Sequence, residues 1–269
     1  MGLYQNRIVV KVGTSTLTND MGQNDLRSFD RLACVLADVQ NMGYEIILVS
    51  SGAIAVGANK LNMKTRPSSM RLKQASAAVG QCRIMYLYDK FFGDYDKTIA
   101  QILLNAEDIE MEEKKENLTN TFDSLLEMGI IPIVNENDSV SYTEIESEDR
   151  LFGDNDMLSS VVAVLCRAKK LVIFSDIDGF YNKDPRLHPD AKLIERITDI
   201  DEDILSLAGG AGSRRGTGGM KTKLQAARLA TSQGIDTIIT NGNNPASLYD
   251  IVKEERVGTL FAGKRTNGH

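Results

Sequence analysis

The chain is poor in histidine and cysteine, has no surplus of positive charge and no long apolar run, and each shortage closes off a class of function. Histidine occurs only at His188 and His269, too sparse for a histidine-based triad or a histidine metal cluster. Cys34, Cys82 and Cys166 are odd in number, far apart and set among apolar residues. They read as three buried thiols, because a disulfide framework needs pairs and a zinc site needs clustered ligands. No stretch approaches the roughly 18 consecutive apolar residues of a membrane span. The amino terminus runs straight into an apolar strand, with no basic region ahead of a signal-length apolar run, and Asn6 stands where a myristoylation signal needs Ser or Thr. A net charge of −6 removes the cationic surface that dominates nucleic-acid affinity. The expectation is a cytoplasmic protein with no nucleic-acid and no membrane partner.

What is present is ordinary globular material: 269 residues, 42% hydrophobic and 25% charged, enough for one large domain or two modest ones. No Pro/Ser-rich linker or internal repeat divides it. Residues 8–10, 45–49, 98–104, 130–134, 170–174 and 235–239 read as buried strands, and 258–261 as a terminal one. Helical spacing covers 28–42, where Phe29, Leu32, Ala33, Leu36 and Val39 recur and Gly43 supplies the stop. Further helices are expected at 68–92, 117–128, 157–168 and 245–253, with a short acidic one at 200–207. The Ala- and Met-rich helix at 68–92 suggests core or subunit contact. The charged run 107–116 reads as a solvated connection or exposed helix, and the acidic segment 142–150 as a loop. Repeated strand, loop, helix units predict a mostly parallel sheet covered on both faces.

Small polar clusters recur where these strands end, which is where open α/β sheets collect ligands. Lys11-Val12-Gly13-Thr14-Ser15 follows the first strand, Ser50-Ser51-Gly52-Ala53 the second, Asn135-Glu136-Asn137-Asp138 the fourth and Ser175-Asp176 the fifth. Gly153-Asp154-Asn155-Asp156 opens a helix, as does Gly216-Thr217-Gly218-Gly219-Met220-Lys221-Thr222-Lys223. In the latter, glycines let the backbone approach a ligand, while free N–H groups, the helix dipole and the Lys223 ammonium converge. That combination suits a phosphate. No Gly-Lys-Ser or Gly-Lys-Thr closes the pattern as in a Walker A loop, and no GxGxxG fits the glycines. Taken singly, these clusters also fit helix caps, solvated strand ends or a mobile loop.

Together and in this order, the six clusters resemble those of the glutamate 5-kinases of the amino acid kinase family over nearly the whole chain. The resemblance implies an α/β fold, a three-layer αβα sandwich on an open, mainly parallel eight-stranded sheet. It implies a single amino acid kinase domain over 1–269, with an acceptor-binding part at about 1–168 and an ATP-binding part at about 169–269. The PUA domain that ends many relatives is not expected. The implied reaction moves the γ-phosphoryl of ATP to the side-chain carboxylate of L-glutamate, the first step of proline synthesis. Mg²⁺ would ride on ATP, with no metal ligand from the protein. By the same resemblance Lys11 meets the phosphoryl group from the acceptor side, Lys223 from the nucleotide side, and Asp176 holds both ammonium groups. Ser51, Gly52, Asp138 and Asn155 bind glutamate, supported by Asn135 and Asp156. Lys11, Ser175, Asp176 and the run Thr217, Gly218, Gly219, Met220, Lys221, Thr222, Lys223 line the ATP site. Ser175 stands where relatives often carry Thr, which keeps the hydroxyl, and the connection from Asp138 to Asn155 is longer than in many relatives. A homodimer or homotetramer built through the amino-terminal part and feedback inhibition by proline are implied as well.

The same residues allow a kinase for aspartate, N-acetylglutamate or a nucleoside monophosphate, or a sensor that keeps the fold without catalysis. The Asn135–Asp138 and Gly153–Asp156 clusters favour glutamate by resemblance, and retention of Lys11, Asp176 and Lys223 argues against a sensor. The chemistry agrees with a carboxylate acceptor. With a pKa of about 4.3 it is already ionised at neutral pH, so transfer needs cations and alignment more than a general base.

Overall fold

Five consecutive buried residues, β1 (Arg7–Lys11), form the middle of the sheet. The computed structural model describes residues 6–19, 23–65, 67–140, 155–208 and 219–264. After β1 comes a single turn, α1 (Thr14–Leu17), then α2 (Leu26–Asn41), whose N-cap Asp25 accepts hydrogen bonds from the N–H groups of Arg27 and Ser28. Next are β2 (Glu45–Val49), α3 (Ala53–Lys60) and α4 (Met70–Gly93), the last capped by Ser69. β3 (Ile99–Leu104), α5 (Ala106–Glu110), α6 (Glu112–Glu127) and β4 (Ile131–Glu136) follow. The charged run thus divides between α5 and the first turn of α6, where Glu112 and Glu113 meet the positive end of the dipole. The remainder is α7 (Asn155–Leu165), β5 (Lys170–Ser175), β6 (Arg196–Ile197), α8 (Glu202–Leu207), α9 (Met220–Ser232), β7 (Asp236–Asn241), α10 (Ser247–Val252) and β8 (Thr259–Phe261).

The strands form one eight-stranded sheet in the order β3-β4-β2-β1-β5-β7-β8-β6. Pairings from β3 through β7 are parallel, β8 runs antiparallel to β7, and β6 lies parallel to β8. Seven of the strands are legible as apolar runs, whereas β6 has two residues and no period to read. Alternation along the strands splits the core. Ile8, Val10, Ile46, Leu48, Val172 and Phe174 pack with α2, α3, α4 and α10 on one face. Val9, Ile47, Val49, Leu171 and Ile173 pack with α6, α7 and α9 on the other. This is the expected three-layer αβα sandwich.

α3 and α4 meet backbone to backbone. A Cβ on Gly57 would lie 1.8 Å from the carbonyl oxygen of Ser76, and one on Gly80 would lie 1.8 Å from that of Ala53. The glycine inside α4 is therefore a contact point between helices. One expectation fails here. Among the thiols only Cys166 is buried; Cys34 is half-buried and Cys82 exposed, because the apolar neighbours of Cys82 in sequence face the other side of α4.

Candidate active site

The carboxyl ends of β1, β2, β4, β5 and β7 open on the same edge of the sheet. Lys11 ends β1 and shares the parity of Val9, so its side chain projects to the face of α7 and α9. There it meets Asp156, in the first turn of α7, with Nζ 2.6 Å from Oδ1. Lys223, in the first turn of α9, approaches the other oxygen, Nζ to Oδ2 at 3.0 Å. The Thr222 hydroxyl lies 3.1 Å from the same Oδ2 and 2.9 Å from the carbonyl oxygen of Gly219, the N-cap of α9. Asp156 is wholly buried, and the side chains of Lys11 and Lys223 are only 7% and 8% exposed. Burial, the largest single influence on Asp156, works against its ionisation. The charges and hydrogen bonds of Lys11 and Lys223 outweigh it and hold the carboxyl below its ordinary range.

This geometry corrects one expectation. Asp176 does not hold the ammonium groups: its Oδ2 accepts from Arg186 Nη2 at 2.6 Å and its Oδ1 from Ser175 Oγ at 3.2 Å. Continuing the alternation of β5 past Ser175 carries Asp176 toward the face of Phe174, away from α7 and α9. Asp156, expected only to support the acceptor, takes the bridging position.

Around this centre the other clusters gather at the same edge. Ser51 is buried, its hydroxyl donating to the Val12 carbonyl at 3.1 Å and lying 3.3 Å from that of Thr14. Gly52 adopts φ +93°, and a Cβ there would come 3.0 Å from the Thr14 side chain, so a left-handed glycine lets this loop close on the one after β1. Asn135 is buried at the end of β4, Asp138 is half-buried in the turn beyond, and Asn155 opens α7 with a buried Oδ1 that has no hydrogen-bond partner among the described residues. Ser175 is buried at the end of β5. Met220, the first residue of α9, packs against the core, while Lys221 is exposed. Thr217 and Gly218 lie outside the described residues, as do Gly153, Asp154 and the segment 142–150.

Some polar groups of this edge escaped the sequence reading. Gln81 and Tyr88, both on α4, reach the ends of β4 and β2. Their signal was weak: two polar groups seven apart in a helix whose buried positions include Ala77, Ile84 and Leu87. Arg186 had none, since only the fold brings it to Asp176.

Comparison with known proteins supplies the context. The family model described as the amino acid kinase family matches residues 6–241. A glutamate 5-kinase of Clostridium perfringens is 54% identical over 259 residues, covering 96% of this chain and 96% of that protein. One from Listeria innocua is 50% identical, covering 96% and 94% respectively. Among solved structures, a carbamate kinase from Giardia lamblia bound to AMP-PNP superposes with a TM-score of 0.68 at 16% identity, over 96% of this chain and 99% of that one. A UMP kinase from Bacillus anthracis gives 0.64 at 14%, over 97% of both. At such identities the structural likeness concerns the fold alone.

Proposed function

The chain belongs to the amino acid kinase family, and from that premise we propose that it is a phosphotransferase moving the γ-phosphoryl of ATP to the side-chain carboxylate of L-glutamate. The product, glutamyl 5-phosphate, opens proline biosynthesis. The observation that carries this reading is the 54% identity to a glutamate 5-kinase over 96% of the chain.

The reaction forms a bond between a carboxylate oxygen and phosphorus and breaks the bond from phosphorus to the oxygen bridging to ADP. The acceptor is an anion and needs no base, but it must approach another anion. Lys11 and Lys223, locked on opposite oxygens of Asp156 before substrate arrives, answer that need. Their charges are already oriented, so little reorganisation remains in the transition state. Lys11, at the end of β1 beside Ser51 and Gly52, serves the acceptor side, and Lys223, with Thr217 to Thr222, serves the nucleotide side. Ser51, Gly52, Asn135, Asp138 and Asn155 bind glutamate, while Ser175 and Asp176 border the ATP site. The acceptor part at about 1–168 and the ATP part at about 169–269 follow from this division.

Magnesium fits as an ion carried on the nucleotide. Phosphate oxygens and water would complete its shell. It would neutralise charge on the phosphates. No helix among the described residues is long and apolar enough to cross a membrane. A cytoplasmic location, and assembly as a homodimer or homotetramer through the amino-terminal part, belong to the same proposal. Proline shares the α-carboxylate and α-nitrogen of glutamate and would compete for the same pocket. Initial rates over a grid of both amino acids check this, and inhibition that excess glutamate fails to relieve would overturn it.

The decisive experiment is an ATP-dependent hydroxamate assay with glutamate, aspartate and N-acetylglutamate as acceptors. Hydroxylamine traps an acyl phosphate and leaves a phosphate ester untouched. Hydroxamate formation with glutamate is expected; ADP release without it would refute the assignment.

A further inference from the structure

Behind the acceptor-side residues stands one face of α4. Gln81 is 8% exposed and its Oε1 accepts from Asn135 Nδ2 at 2.8 Å. Tyr88, seven residues on and therefore on the same face, is fully buried, with its hydroxyl 3.0 Å from that of Ser50. Between them these residues hold the ends of β4 and β2, and the neighbouring Gly80 lets α4 touch the first turn of α3. A buried helix face lined by Ala77, Ile84 and Leu87 gains nothing in packing from an amide, and burying one costs free energy unless it is hydrogen-bonded.

The orientation of these amides is determined by a group that cannot turn round. The backbone N–H of Glu136 donates to Asn135 Oδ1 at 3.0 Å. Oδ1 must therefore face the backbone, Nδ2 must face Gln81, and Gln81 must present Oε1 to it. Two consequences follow. Asn135 Nδ2 spends one of its two hydrogens on Gln81 and keeps the other. Among the described residues, Gln81 Nε2 is left buried with no hydrogen-bond partner, an arrangement that costs free energy and is exceptional in folded proteins.

We infer that Gln81 is a positioning residue for the acceptor: the Glu136 N–H sets which end of the Asn135 amide is the donor, and Gln81 holds that Nδ2 end in place so that its remaining N–H meets a carboxylate of glutamate. The inference rests on the reading of this edge as the glutamate site. Without Gln81 the Asn135 amide is held at its Oδ1 end alone by the Glu136 N–H, and its Nδ2 end loses the contact that keeps it aimed at the carboxylate. Gln81 thereby tunes acceptor binding without touching the transferred group.

The test is steady-state kinetics of Gln81→Met, which keeps the volume and loses the acceptor atom, and of Gln81→Asn, which stays polar and falls short of Asn135. Each is expected to raise the KM for glutamate about three- to tenfold, the range of one neutral hydrogen bond, with the KM for ATP within about twofold and the melting temperature near the parent's. Asn135→Ala should show the same split. Combining it with Gln81→Met should add no further loss, as groups acting in series behave in a double-mutant cycle. A folded Gln81 variant with the parent KM for glutamate, equal rises for both substrates, or additive losses in the double variant would overturn the inference. If the parent forms no glutamyl hydroxamate, the functional reading falls instead; parent turnover with an unchanged variant KM removes only the role of Gln81.

Discussion

A carboxylate clamped between two ammonium groups serves stability and, under the proposed reaction, catalysis as well, and Asp156 separates the two experimentally. Its folded-state pKa lies below the ordinary 3.8, so the stability it contributes is fully present above that value and is lost as pH falls through the folded value. Denaturant titrations at acid pH should show this loss in the parent, and Asp156→Asn should flatten it. The substitution also leaves Lys11 and Lys223 without this buried partner, a change worth about 3–5 kcal/mol that melting curves would register. In turnover, Lys11→Ala and Lys223→Ala should each cost about 10²- to 10³-fold in kcat, the usual worth of an oriented charge at the transition state, with little change in ATP affinity. Asp156→Asn should cost more turnover than Asp176→Asn, because Asp176 pairs with the half-exposed Arg186. Equal losses for the two aspartates would return the bridging role to Asp176.

Among the elements, α4 backs the proposed acceptor side, and it does so through its glycine as much as through its polar face. Gly80→Ala would drive a methyl group into the Ala53 carbonyl. Overpacking of this kind costs about 1–3 kcal/mol, and because α3 begins directly after Ser51 and Gly52, the KM for glutamate should rise along with the fall in melting temperature. Tyr88→Phe removes only the contact with Ser50. Burial raises the pKa of this phenol well above the usual range, so it stays neutral, and its loss should cost about 1 kcal/mol in urea unfolding with turnover nearly intact. The helix was legible from residue pattern; that it touches the site was not, because a polar residue in an apolar stripe looks the same whether it meets a strand end or a water.

At the scale of the molecule, the two ends of the sheet have different work. The amino end is tied by Arg7, whose guanidinium reaches Glu45 at 2.7 Å, Asp123 at 2.8 Å and the Cys166 carbonyl at 2.8 Å, joining β1 to β2, α6 and the end of α7. Arg7→Met should lower stability by about 3 kcal/mol, the lower end for a broken buried pair because its acidic partners keep contact with water, while both KM values stay at the parent level. The carboxyl end gathers the Lys11–Asp156–Lys223 cluster. The chain's local patterns determined the strands, most helices and the places where small polar clusters interrupt them, because a β-branched run, a helical period or a glycine acts on its own few neighbours. They also determined that Lys11 and Lys223 lie where strands end and helices begin. Which carboxylate meets those lysines was decided by tertiary structure alone. Alternation along β1 turns Lys11 toward the face of α7 and α9, the same alternation along β5 turns Asp176 away from it, and Asp156 reaches both ammonium groups only once α7 and α9 pack side by side. The pairing of β6, the exposure of Cys82 and the reach of Gln81 to Asn135 have the same origin: each depends on groups distant in sequence whose contact exists only after the sheet and its two helical layers have assembled.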